Sequence, residues 1–377
     1  MLITIGRTYF HLFEIPILLI LFIGVLHEFY SSGFSFRIND NKYISVFFPS
    51  MFLFTIAIFT SMLFAQESNL VLKDGIKWIE IDIIIIGLFL FLTNCRRFRI
   101  FYWILFFACF LFLVEIGVRY FTGILVIKSY RLIPGYESAF AFALVLPFIG
   151  EKSKYFLIVA FLCFGSALFS LSRGAWLASG FVSLYTFCFL NKNSKKLFIV
   201  LALLLLIISF STEPLRSFIF TKSSTIFATE DASNVERTSL IILAWEAFSS
   251  SPIFGIGALN LFGYMQRIGF NGIAVGELEV VSVHNTFLQI AAEEGLFGLI
   301  AFVLMVGSIF AILLSRKRKL MNISPYLIGL TNFYIVMIVN FVFGYIASQF
   351  RFFIALLFGL ILALVRISIM DKNYATK

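Results

Sequence analysis

Residues 155–190 read YFLIVAFLCFGSALFSLSRGAWLASGFVSLYTFCFL, two apolar runs, 155–172 and 174–190, parted by the single charge of Arg173. Each run approaches the roughly 20 residues a helix needs to cross about 30 Å of hydrocarbon. Neither alternates apolar and polar residues, so each reads as a spanning helix and not as a barrel strand. The same signal recurs outward on both sides. It lies near 8–27, 43–64, 78–93, 100–118 and 136–150 before this stretch, and near 197–211, 296–314, 325–343 and 352–369 after it. The expected fold is all-α, a polytopic integral membrane protein of about 11–12 transmembrane helices.

Composition points the same way. The 377 residues are 61% hydrophobic and only 13% charged, whereas a soluble domain averages about 25% charged. The mean hydropathy is +1.01. A soluble globular protein is excluded by this balance. The formal charge of +9 would raise the question of nucleic acid in a soluble chain, but here it falls in short loops, as the positive-inside bias places it, and no nucleic-acid partner is expected. Cys95, Cys109, Cys163 and Cys188 have neither metal nor redox spacing. After Arg7 the first apolar run lacks a small-residue cleavage site and reads as an uncleaved span.

The loops set an orientation. Arg96-Arg97-Phe98-Arg99, Lys152 to Lys154, Lys192 to Lys196 and Arg316-Lys317-Arg318-Lys319 alternate with poorer loops. Placing them inside with Arg37, Lys42 and the C-terminal tail puts about 17 of the 29 basic residues on the cytoplasmic side. The chain then divides into N-terminal transmembrane helices over 1–211, a large outer loop over 212–281, and C-terminal transmembrane helices over 282–377. Within the loop, Ser233-Asn234-Val235-Glu236 has a capping-box pattern. It should start a partly amphipathic helix through Leu240 to Phe248, ended by Pro252, Gly255 and Gly257. Residues 258–281 read as a mobile loop, the kind that is usually functional or disordered.

Three residues stand out against this apolar background. An arginine at membrane depth costs roughly 2.5–3.5 kcal/mol, so Arg173 is either snorkelling from a hairpin tip or serving a site. Arg237 follows the capping-box pattern, where a cation opposes the helix dipole and a bound anion would offset that cost; the alternative is a solvated charge beside Glu236. His284, one of three histidines, opens the segment that re-enters the membrane, and histidine suits proton transfer near neutral pH. Glu293 and Glu294 follow on that segment and would orient the histidine or act as a base. No zinc site, phosphate-cradling glycine loop or Gly-x-Ser-x-Gly elbow is present in the sequence.

Taken together the motifs resemble those of the O-antigen ligase and polymerase superfamily. Ser172-Arg173-Gly174-Ala175-Trp176-Leu177 is similar to its Ser-Arg-Gly-x-x-Leu hairpin. Arg237, with Ala244-Trp245 and Pro252-Ile253-Phe254-Gly255-Ile256-Gly257, looks like its Arg-led outer helix ending in Pro-x-x-Gly-x-Gly. His284-Asn285 to Leu288, then Glu293 and Gly295-Leu296-Phe297-Gly298, is similar to its His-Asn-x-x-Leu and Glu-x-Gly motifs. The resemblance implies a GT-C-like glycosyltransferase at the periplasmic face of the bacterial inner membrane, working without metal or nucleotide cofactor. Its donor would be a glycan on undecaprenyl pyrophosphate. In a ligase the acceptor is lipid A–core; in a polymerase it is another lipid-linked repeat. Arg173 and Arg237 would hold the pyrophosphate, His284 or Glu293 would take the acceptor proton, and Arg131 and Arg351 would extend the cationic surface toward the substrates. A flippase without chemistry explains many spans and buried charge, but not three ordered motifs around one loop.

Overall fold

The computed structural model describes residues 2–5, 8–11, 42–121, 135–150, 155–170, 172–211, 232–270, 282–316, 325–344 and 348–375, with 213, 216 and 220 singly. The regular structure of the described residues is helical apart from one short antiparallel strand pair, β1 (Leu2–Ile5) with β2 (Thr8–His11), in which Ile5 opposes Thr8. The β-branched and aromatic residues of this stretch suit a strand. The span expected near 8–27 therefore begins as a strand, and its remainder lies outside the described residues, as does Arg131.

Among the described residues twelve α-helices follow: α1 (Ile44–Ser61), α2 (Ser68–Phe91), α3 (Cys95–Phe121), α4 (Gly135–Val145), α5 (Tyr155–Phe169), α6 (Arg173–Phe189), α7 (Lys192–Ser211), α8 (Ala232–Ser250), α9 (Leu261–Arg267), α10 (Thr286–Arg316), α11 (Pro325–Phe343) and α12 (Ser348–Ala375). Among the described residues, four stretches are long and apolar enough to cross a membrane: Ile44–Phe64, Thr286–Ser315, Pro325–Phe343 and Phe350–Ile367. Gly135–Ile149 and Tyr155–Leu168 are shorter apolar helices. Large apolar side chains such as Phe52, Ile56, Phe107 and Leu184 stay exposed on the helix surfaces, which suits contact with lipid and not with water. The protein is an all-α polytopic membrane protein.

The chain forms two compact units. The first holds residues 1–102, 240–319 and 346–377; the second holds 103–239 and 320–345. In the first, α1 packs on α10 and α2, and α2 packs on α12. Phe54 joins Trp78 and Phe302 at ring separations of 4.7 and 5.2 Å. From Phe352 to Val365, α12 is buried on every side. It is held at one end by Arg366, which donates to the carbonyls of Phe89 and Leu90 at 2.8 and 2.7 Å and so satisfies acceptors left over at the end of α2. In the second unit, α4 packs on α5, α6 and α11. Phe140 stacks on Phe333 at 4.2 Å. Asn332 donates to the Ala143 carbonyl and the Thr186 hydroxyl, at 3.1 and 2.7 Å, pinning α4, α6 and α11 with bonds that cannot be traded for water in an apolar medium.

Candidate functional site

In the second unit the site grows from the hairpin between α5 and α6. Ser172 has extended backbone, and its hydroxyl accepts the Ala175 N–H at 3.3 Å, which makes it the N-cap of α6. Trp176 reaches back to donate to the Leu168 carbonyl at 2.8 Å and closes the turn. Arg173 is therefore the first residue of α6, beside N–H groups that have no intrahelical acceptor. Its Nη1 donates to Asn234 Oδ1 at 3.2 Å. Asn234 and Arg237 are three apart on α8 and share a face. Gly174 leaves room for the Tyr136 hydroxyl, which a β-carbon there would strike, and the charge of Arg237 acts on the same phenol. Tyr136, Ser172, Arg173, Asn234 and Arg237 are thus gathered at one helix N-terminus. Helix N-termini with guanidinium groups bind anions.

The helix start signalled by the Ser233–Glu236 pattern is observed: α8 begins at Ala232, and Asn234, inside its first turn, accepts from Arg173. Sequence reasoning missed Tyr136 altogether, because an aromatic at the start of an apolar run carries no polar signal.

In the first unit, the two glycine motifs turn out to be one structure. The long helix α10 breaks at Gly295, which has φ 70° and ψ −167°. The segment after α8 fits into this break. Leu296 and Phe297 N–H donate to the Pro252 and Ile253 carbonyls at 2.8 and 3.1 Å, and Ile256 and Gly257 N–H donate to the Ala292 and Glu293 carbonyls at 3.0 and 2.9 Å. A β-carbon on Gly255 would strike the Glu293 carbonyl, and one on Gly295 the Ile253 carbonyl. Both glycines also have positive φ, so neither position tolerates a side chain. The glycines after α8 do more than end a helix: they splice it to α10.

Nor are residues 258–270 the mobile loop expected. They carry α9, whose Leu261, Tyr264 and Met265 pack with Leu240, Leu243, Ala244 and Ala247 of α8 and with Val283. Asn260 ties this segment down by accepting the Glu67 N–H at 2.8 Å. Residues 271–281 lie outside the described ones.

His284 sits two residues before α10 with φ 56°, a left-handed conformation that histidine adopts more readily than most residues but that still stores strain. Asn285 caps the helix by accepting the Leu288 N–H at 3.0 Å. Gln289 accepts the Val283 N–H at 3.2 Å and donates to Glu293 Oε1 at 3.3 Å. His284 is half-buried, whereas Glu293 and Glu294 are each only 4% exposed. Glu293 therefore reaches the peptide before His284 through Gln289. No such chain was visible in the spacing, since Gln289 had no distinguishing feature.

Arg351 does not extend an exposed cationic surface. It is 8% exposed, its Nη1 meets Asp74 Oδ1 at 2.6 Å, and its guanidinium lies 5.5 Å from the centre of the Trp78 ring. Asp74 and Arg351 are near enough to Glu293 and Glu294 for their charges to act on both. Glu294 Oε2 is buried without a hydrogen-bond partner among the described residues. Among those residues no group of acids, cysteines and histidines could hold a metal. The arginine site and the histidine–glutamate segment belong to different units.

Each unit of this all-α polytopic membrane protein thus carries one constellation: a cationic helix N-terminus in the second and, in the first, a histidine of positive φ close to a helix start. Residues 158–303 match the family model described as O-antigen ligase. The matched segment contains Arg173, Arg237, His284 and Glu293, and excludes Arg131 and Arg351. No curated protein matches the chain.

Proposed function

We propose that this protein transfers a glycan from undecaprenyl pyrophosphate to a sugar hydroxyl of lipid A–core at the periplasmic face of the inner membrane. The observation that carries the reading is Arg173 at the capped N-terminus of α6, held by Asn234 on the helix that also bears Arg237. Two guanidinium groups at a helix N-terminus suit a pyrophosphate. As the glycosidic bond breaks, the leaving pyrophosphate gains charge, and preorganised donors stabilise that charge more than they stabilise the bound donor. The guanidinium groups fill the role that a metal fills in many soluble glycosyltransferases. His284 takes the proton from the acceptor hydroxyl as it attacks the anomeric carbon. Glu293, buried and bonded to Gln289, serves as the positioning residue for that histidine. The fold is then of the GT-C kind, with the outer loop over 212–281 shaping the acceptor side.

The test is the lipopolysaccharide of a deletion strain, resolved by gel. Core without O-chains, with lipid-linked polymer accumulating, is the expected result. Core bearing a single repeat would make the protein a polymerase. Repeats trapped on the cytoplasmic side would make it a flippase, and either outcome would overturn the ligase reading.

A further inference from the structure

The outward faces of α8 and α9 play no part in the chemistry above. While Leu243 and Ala247 pack inward, Trp245 on the same helix is 60% exposed. Beside it lies an open groove of about 640 Å³ lined by Trp245, Glu246, Ser249, Tyr264, Ile268 and Phe270. That is within the range of small-ligand sites. Its rings are held: Trp245 packs on Phe248 at 5.6 Å, and the Arg267 guanidinium lies 5.1 Å from the centre of the Tyr264 ring. The Ser249 hydroxyl donates to the Trp245 carbonyl at 2.8 Å, which leaves its oxygen to accept from a ligand.

We infer that this groove binds a saccharide ring of the acceptor glycan. The lining decides the occupant. A hydrocarbon tail would cover the Glu246 carboxylate, the Ser249 oxygen and the Tyr264 hydroxyl while offering them no hydrogen bond. A phosphate would meet the Glu246 carboxylate as a like charge. A sugar ring has a C–H face that packs on indole and phenol rings, and hydroxyls that donate to a carboxylate and a serine oxygen. The floor of the groove also belongs to the core that contains Val283, the residue before His284. A ring bound there is carried on the same packed body as the peptide that presents the histidine. The inference rests on the transferase reading, for which it names the acceptor's binding surface.

The experiment uses the full chain in lipid nanodiscs, because a maltoside detergent would itself offer sugar to the groove. The probe is lipid-free core oligosaccharide released by mild acid from the host's own lipopolysaccharide. Binding is read by tryptophan fluorescence and by saturation-transfer NMR, with decyl phosphate as the competitor that a lipid-binding groove would prefer. Saturable oligosaccharide binding is expected, insensitive to decyl phosphate. Trp245→Ala should weaken it about tenfold or more, with Trp245→Phe keeping part of it. Trp245 is exposed, so an unchanged melting midpoint serves as the folding control. Glu246→Gln supplies a second variant with weakened binding. Absence of saturation, equal binding by Trp245→Ala, or displacement by decyl phosphate would overturn the proposal. If the wild type binds the oligosaccharide through Trp245 but transfers nothing, the groove stands and the transferase reading falls. If transfer persists while Trp245→Ala binds normally, the reverse holds.

Discussion

Replacing Gly295 by alanine tests whether the break in α10 is built or incidental. The residue has φ 70° and ψ −167°, a region occupied essentially by glycine, and holding alanine there costs about 1–3 kcal/mol. The new methyl would strike the Ile253 carbonyl, a backbone atom that cannot rotate away. The inserted segment must then retreat, and the bonds from Leu296 to Pro252 and from Phe297 to Ile253 stretch or break, at a net cost of roughly 0.5–1.5 kcal/mol each. The sum is about 2–6 kcal/mol, a large share of the roughly 5–15 kcal/mol that holds a typical domain together. Gly307, on the same helix with open space around its Cα, is the control: Gly307→Ala should be neutral or stabilise by about 0.5–1 kcal/mol. The assay is the denaturation midpoint of purified protein in detergent, followed by far-UV circular dichroism and by tryptophan fluorescence. Gly255→Ala attacks the same splice from the other side, so the double variant should lose less than the sum of the two single losses. A Gly295→Ala protein within about 0.5 kcal/mol of wild type, or full additivity with Gly255→Ala, would mean that the splice holds nothing.

Asp74→Ala should cost about 3–5 kcal/mol because it strands the buried Arg351 guanidinium, whereas Asp74→Leu combined with Arg351→Met should recover most of that loss; the same denaturation assay decides. Arg173→Lys and Arg237→Lys should each transfer poorly, because an ammonium cannot reproduce the bidentate fork, while EDTA leaves wild-type turnover intact. Full activity of either lysine variant in a purified transfer assay would reduce that arginine to a generic surface charge. Phosphatase fusions should be active after Ser250 and inactive after Lys319, and the reverse pattern would put the arginines and the histidine in the wrong compartment.

The helices were legible because hydrocarbon thickness imposes a length that composition reveals directly, and the spans expected from residue 43 onward coincide with observed helices. Two began late in the sequence reading, and for related reasons. The α2 helix starts at Ser68, ten residues before the expected 78, because Lys73, Asp74 and Lys77 interrupt the apolar signal without interrupting the helix. Asp74 is tolerated through Arg351, a partner no local window contains. The α10 helix starts at Thr286 and not near 296 because Glu293, Glu294 and Gly295 look like a boundary, whereas the chain remains helical up to a break that another segment fills. Arg173 was legible as a lone charge among apolar residues. Its partner Asn234 was not legible, because nothing in the local sequence pairs it with a residue 61 positions earlier.

The segment from Gln289 to Gly295 explains why these motifs resist a division into structural and catalytic residues. The Glu293 backbone carbonyl receives Gly257 N–H, and so belongs to the splice. Its carboxyl binds Gln289, whose own carbonyl holds Val283 N–H, and so belongs to the strained peptide that presents His284. A loss of rate in Glu293→Gln would therefore follow equally from a missing base and from a displaced histidine. Burial tilts the choice. A base must touch the acceptor hydroxyl, and an almost wholly enclosed carboxylate on the splice can be reached only by opening structure that four backbone hydrogen bonds hold shut. The half-buried histidine needs no such opening. The same economy accounts for the two glycines: by fixing the backbone that carries Glu293, they support a residue nine positions away, and on the proposed reading a substitution at either one should slow transfer without touching His284.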